Sequence, residues 1–206
     1  MNTNTGRNTG RNTDMAKETD RRVRKTREQL RRGLAELLCE KSIREITVKE
    51  LVERVDINRS TFYLHYSDIY DMMEKIENGL VEDIEKLIEA HPVSPFNEKS
   101  FPFIEDIFVI LSENRAICAA LLGPHGDISF LHRIEGIISE HCLNVLKVTF
   151  PDQLEDLKYS YSFCLSGCIG LTKTWLNGQY EETPRHMAEI TFRLIMNALH
   201  GLEPGR

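Results

Sequence analysis

A chain of 206 residues with 41% apolar and 28% charged residues is long enough to enclose a core and has a globular balance, not a disordered or fibrous one. It has no run of about 18 apolar residues, which argues against a membrane span, and its polar opening MNTNTGRNTGRNTDMAKETD lacks the apolar stretch of a secretory signal, so a cytoplasmic protein is expected. The net charge of −6 conceals a division: residues 1–66 hold 15 Lys/Arg against 10 Asp/Glu while the remainder holds 11 against 22, so a polyanionic partner is expected only at the first third.

The opening segment, 1–19, repeats NTGR and has nothing to bury; it is expected to be a disordered tail. A helix is predicted from Thr26, with an earlier start near Asp20 left open, because Leu30, Leu34, Leu37 and Leu38 recur at helical spacing. Gly33 inside it costs ~1 kcal/mol relative to Ala, and the run across its start, DRRVRKTREQLRR, is rich in Arg and Lys. Ser42 to Ile46 turns the chain. Thr47 then opens a short second helix in TVKE, a capping-box pattern in which Thr47 and Glu50 satisfy end amides reciprocally; Leu51, Val52 and Val55 supply its buried side. Asp56 stands where the chain must turn sharply, and Asp tolerates left-handed backbone better than most residues. Ile57 fills the corner, Asn58 caps, and RSTFYLHY forms a third helix.

A longer connecting helix is predicted from Asp68 to Ala90, striped by Met72, Ile76, Leu80, Ile84 and Leu87. Pro92 and Pro95 break the chain after it. Further helices are expected at about 101–113, 115–122, 129–150, 152–178 and 184–202, separated by GPHGD, Pro151 and GQYEETP. No segment alternates strictly between apolar and polar, so a sheet is not expected. The reading is all-α: a three-helix unit over 20–67, then a helical bundle over 68–206.

Little in the chain suggests catalysis. The five cysteines are scattered and odd in number, and are read as reduced thiols; Cys164 and Cys168 share a helix face without the further ligands a metal needs. There is no His-Glu-x-x-His and no phosphate-binding glycine loop, and His132 with Glu135 and Glu140 with His141 are the nearest approach to a catalytic pair. Neither an enzyme nor a metal nor a cofactor is expected.

The second and third helices, joined by a tight turn, form a helix-turn-helix pattern. The major groove admits one helix, so that helix must be polar outward and apolar behind. Phe62 and Tyr66 stand four apart and pack inward, leaving Arg59, Ser60, Thr61, Tyr63 and His65 for a partner. Arg59 suits guanine, Ser60 a base or phosphate, and Tyr63 and His65 phosphate oxygens. A merely solvated face is the bland alternative. The charge division and the basic run, with Arg21, Arg22 and Arg24 placed to meet phosphates, weigh against it.

The stretch TREQL…ELLCEKSIREITVKELVERVDINRSTFYLHYSD resembles the DNA-binding domain of the tetracycline-repressor (TetR) family of bacterial regulators, in a subgroup common in Gram-positive bacteria. That resemblance implies contacts to phosphate or base edges from Thr47 and Lys49, base and backbone contacts from Arg59, Ser60 and Tyr63, a phosphate contact from His65, and a core place for Phe62. Two positions depart from the family pattern: Asp56 replaces a common turn glycine, and Ile69 replaces a phosphate-binding lysine. YSYSFCLSGCIGLTKTWLNGQ resembles the family's dimerising helix. The resemblance therefore implies a homodimer on double-stranded DNA at a near-palindromic operator, released by a small-molecule effector; a protein–protein adaptor that kept the domain is the alternative.

The last two helices carry long apolar faces (Phe163, Ile169, Leu171 and Trp175; Ile190, Leu194, Ile195 and Leu199), with Ser162, Ser166, Gly167 and Gly170 allowing close approach, and are expected to form a four-helix interface with a second copy. Phe103, Phe108, Tyr159 and Trp175 are candidate cavity-lining aromatics. No ligand-binding residue is assigned.

Overall fold

Leu30, Leu34, Leu37 and Leu38 lie on one side of the first helix, and in the structure, a computed structural model, all four are inaccessible to solvent. The structure describes the backbone of residues 9–151, 154–178 and 182–200, and the side chains of 20–151, 157–178 and 182–199. Residues 1–8 of the polar opening lie outside the described residues.

The described residues form only helices and turns: α1 (Thr9–Glu40), α2 (Val48–Arg54), α3 (Arg59–Tyr63), α4 (Ile69–Ala90), α5 (Phe101–Glu113), α6 (Arg115–Leu121), α7 (Ile128–Thr149), α8 (Leu154–Asn177) and α9 (Pro184–His200). Single 3-10 turns at Ile43–Glu45 and Glu98–Ser100 precede α2 and α5. The α1 helix begins before Asp20; extending a formed helix needs no new nucleus.

The caps are local and legible. The Thr47 hydroxyl accepts from the Glu50 amide at 3.2 Å, Asn58 accepts from the Ser60 amide at 2.9 Å, and Asp68 accepts from the Asp71 amide at 2.8 Å. The reciprocal half of the expected Thr47 box is not made, because the Glu50 carboxylate takes Lys41 Nζ at 2.7 Å instead. Glu45 does reach back, accepting from the Ser42 amide and hydroxyl, each at 3.1 Å.

Between α2 and α3 the turn is a Schellman motif. Asp56 has φ 52°, the Ile57 amide reaches back to the Val52 carbonyl at 2.9 Å, and the Asp56 amide faces the Glu53 carbonyl at 3.5 Å. Ile57 then packs against the same core as Val52.

Gly33 is where α1 meets α2. A Cβ placed there would come within 2.3 Å of Val55 Cγ1 and 3.1 Å of Leu51 Cδ1. The helix-propensity cost of Gly33 is thus offset by a close approach that seats the helix-turn-helix unit.

A single buried cluster runs from Leu30 and Phe62 through Met72 and Ile76 to Phe108, Trp175 and Ala188. The helix-turn-helix unit and the bundle therefore share a core. The junction has two strands: α1 packs on α6, and α4 leads directly into the bundle beside α5 and α7. A smaller cluster of Leu146, Leu157 and Leu199 closes the far end.

Candidate nucleic-acid interface and ligand cavity

Phe62 is fully buried at the centre of α3, with its ring edge-on to Tyr63 at 5.5 Å and tilted against Tyr66 at 5.6 Å. That anchor fixes which side of the short helix looks out. Arg59, Ser60, Tyr63 and Leu64 are exposed, and Thr61 and His65 are half-buried. The guanidinium of Arg59 donates to the Tyr63 hydroxyl at 3.1 Å and lies over its ring at 5.6 Å. The two residues thus pair with each other on the solvent side and not with the interior. Ser60 donates its hydroxyl to Asn58 at 2.8 Å, which holds the helix start together.

Leu64 is 80% exposed between Tyr63 and His65. Two positions from inward Phe62 on a helix, it has to point away from the core. An exposed leucine among the candidate DNA-contact residues has the chemistry to meet a thymine methyl.

At the start of α2, Thr47 and Lys49 are exposed, and Lys49 lies 3.9 Å from Glu53 in a solvated pair. Arg24 is exposed on α1. Farther along that helix Arg27 is close enough to His65 to act on its charge: burial first, and Arg27 second, push the imidazole below its ordinary value. The shift favours the neutral imidazole. Ile69, which stands where the family pattern has a cation, is buried, and exposed Tyr70 follows it. Lys75 Nζ bonds Asp71 at 2.9 Å and reaches the His65 carbonyl at 3.4 Å, tying α4 to the end of α3.

A second feature lies inside the bundle. A cavity of about 420 Å³ is enclosed by α4, α5, α7, α8 and α9, with Phe103 and Phe108 among its walls as the sequence suggested. Tyr159 and Trp175 are not. Tyr159 is 68% exposed, and Trp175 is buried behind Phe108, its indole N–H donating to the Glu182 carbonyl at 3.0 Å. Arg115 stacks on Trp175 at 5.4 Å and donates to the Trp175 and Gly178 carbonyls at 2.7 and 3.1 Å, so the end of α8 is bolted to α6.

Near the end of α4 the cavity wall includes His91, whose ring stands edge-on to Phe103 at 5.6 Å, with Phe103 in turn 4.9 Å from His141. His91 Nε2 and Asp106 are 2.9 Å apart. Cys142 and Cys168 also line the cavity, and burial pushes their thiols up to about 12 and about 11, so they stay protonated. Among the described residues no group of three or more His, Cys, Asp or Glu is arranged to hold a metal, and no helix is long and apolar enough to cross a membrane.

The expected subunit-facing side divides in two. Phe163 (74% exposed) and Leu194 (54%) face solvent, and a Cβ at Gly167 or Gly170 would meet nothing within 4 Å. Trp175 and Leu199, assigned to the same face, are buried instead. The twelve positions from Phe163 to Trp175 rotate the side chain by roughly 120° at about 3.6 residues per turn, too far for one face.

Residues 98–197 match a family model described as the C-terminal region of transcriptional regulators, TetR_C_8. The HTH-type transcriptional regulator YxbF of Bacillus subtilis strain 168 is 33% identical over 85 residues, a stretch that takes in 40% of this chain and 22% of that one. The chain thus matches less than a quarter of that relative's length. A TetR transcriptional regulator from Streptococcus agalactiae 2603V superposes with a TM-score of 0.50 at 22% identity, over 87% of this chain and 98% of that one, a likeness of fold.

Proposed function

We propose that this chain, a transcriptional regulator of the TetR family, is a homodimeric repressor that reads a near-palindromic operator and leaves it when a small molecule enters the bundle cavity. The observation that carries the reading is the outward face of α3: Arg59, Tyr63 and Leu64 stand free of the interior while Phe62 holds the helix from behind. In that role Arg59 bonds a guanine edge, Tyr63 and Ser60 meet base or backbone, and Leu64 meets a thymine methyl. Thr61, Thr47, Lys49, His65 and Arg24 contact phosphates, which position the head without specifying sequence.

A second copy seats on the outer faces of α8 and α9. Tyr159, Phe163 and Leu194 would leave water there, and Gly167 and Gly170 would let the helices approach closely. Two heads on one axis then meet half-sites about one helical turn of DNA apart.

Release follows from the wiring of the bundle. The cavity is walled by His91, at the end of α4, and by Leu111 and Leu122, which bracket α6. The α4 helix leads from the DNA-side unit, and α6 packs on α1. A ligand that favours a different setting of these two helices changes the separation of the paired heads, provided it binds the two settings with different affinity. Selecting duplexes from a random pool with the purified protein tests the reading. Enrichment of an inverted repeat supports it, whereas a pool that stays random, or a lone asymmetric site, refutes the dimeric operator.

A further inference from the structure

The cavity is mostly apolar, and three of the polar side chains on its wall are uncharged and end in buried or nearly buried groups. Thr191 is 4% exposed on α9, and its hydroxyl has no hydrogen-bond partner. Tyr161 on α8 ends in a buried hydroxyl that lies near Ser139 without a hydrogen bond of good geometry. His141 on α7 is 9% exposed, and burial first, then the nearness of His91, hold its imidazole below the ordinary value, hence neutral. All three line the same space. Buried polar groups in folded proteins are nearly always satisfied, and an orphan costs about 1–3 kcal/mol. Two hydroxyls without a well-formed bond, facing one cavity, therefore suggest groups kept for something that enters.

The charged residues of the wall are few. Lys99 is exposed and Glu135 half-buried, so neither offers a dry counter-charge. An ion drawn into this space would give up its hydration without a buried partner of opposite sign, a cost that exceeds what apolar contact returns. A neutral molecule meets no such cost. Its hydroxyl or carbonyl would satisfy Thr191, Tyr161 or His141, while the remainder lies against Phe103, Phe108 and Ile138.

We infer that the cavity selects an uncharged, mainly apolar molecule bearing one or two hydrogen-bonding oxygens, such as a long-chain alcohol, ketone or phenol, and discriminates against its carboxylate and ammonium counterparts. The inference names the ligand class of the effector site proposed above and rests on that reading for its regulatory meaning alone. Its test measures binding without DNA. The full chain is loaded with the neutral fluorophore N-phenyl-1-naphthylamine and titrated with 1-decanol, decanoate and decylammonium at pH 7.5.

The expected result is displacement by decanol at concentrations at least tenfold lower than either ion requires. Thr191→Val or Tyr161→Phe should raise the decanol dissociation constant three- to tenfold once each variant's own fluorophore affinity, titrated directly, is taken into account. Equal or stronger displacement by either ion overturns the neutral class. An unchanged decanol dissociation constant in both variants overturns the polar assignments, and a fluorophore that does not bind overturns the cavity as a ligand site. A parallel titration of operator DNA keeps the two readings apart: loss of ligand selectivity with DNA binding intact sinks only this inference.

Discussion

Arg59 and Tyr63 owe their position to chemistry four residues apart on α3, where a guanidinium and a phenol meet edge to ring at the surface. Each gives the other a partner that DNA can replace without exposing an unpaired buried group. Such exchange is what a reading surface needs. The turn before it depends on Asp56 at φ 52°. Left-handed backbone costs an L-residue about 1–2 kcal/mol, less for Asp and nothing for Gly. Asp56→Gly should therefore leave stability equal or raise it by up to ~1 kcal/mol, and Asp56→Val should lower it by about 1–2 kcal/mol, as read from urea midpoints. A Val variant as stable as the parent would contradict the turn geometry.

Glu77 on α4 makes a separate prediction. Its Oε1 is buried without a partner, and burial, aided by Asp127 nearby, raises its carboxyl to about 7. A raised carboxyl favours the protonated folded state, so the stability it confers is full below 4.5, its unfolded value, and is lost as pH rises toward 7. Glu77→Gln should thus raise the melting temperature at pH 8 and leave it nearly unchanged at pH 4.5. A melting temperature that falls at both pH values would show that the carboxylate is paired.

At the scale of elements, the boundaries were readable where local chemistry sets them. Pro92 and Pro95 forbid a helix, the Thr47, Asn58 and Asp68 caps start one, and the stripes of α1 and α4 point their leucines and methionines inward as the spacing requires. What could not be read was direction around long, evenly apolar helices. The α8 helix is apolar on several sides, so Trp175 was assigned to the subunit face although Arg115, sixty residues away, holds its carbonyl inside. Glu50 was assigned to its own helix cap, yet Lys41 from the end of α1 takes its carboxylate. Partners distant in sequence decided both. The division of α8 sharpens the dimer proposal to the side of Phe163 and Gly167. Gly167→Glu, whose Cβ would meet nothing within 4 Å in the isolated chain, should convert dimers to monomers by light scattering while preserving helicity. A dimeric variant would move the interface elsewhere.

Across the whole molecule, the charge division follows the elements: the basic residues concentrate in α1, α2 and α3, and the acidic remainder forms the helices that hold the cavity. The helix-turn-helix end was legible because its function requires a local pattern of outward polar and inward apolar residues. The cavity was not, because it is walled by five helices drawn from across the chain, and only two of four expected aromatics line it. A shared core joins the two parts, as the proposed ligand-controlled DNA binding requires.

If the outward face of α3 reads sequence, removing one of its groups must cost discrimination between duplexes. Fluorescence anisotropy with the selected operator and with a scrambled duplex, for the parent and for Arg59→Ala, tests it most directly. Operator binding should weaken by about 1–3 kcal/mol while binding to the scrambled duplex changes far less, so that discrimination collapses. Equal loss on both duplexes, or no loss on either, would contradict the account.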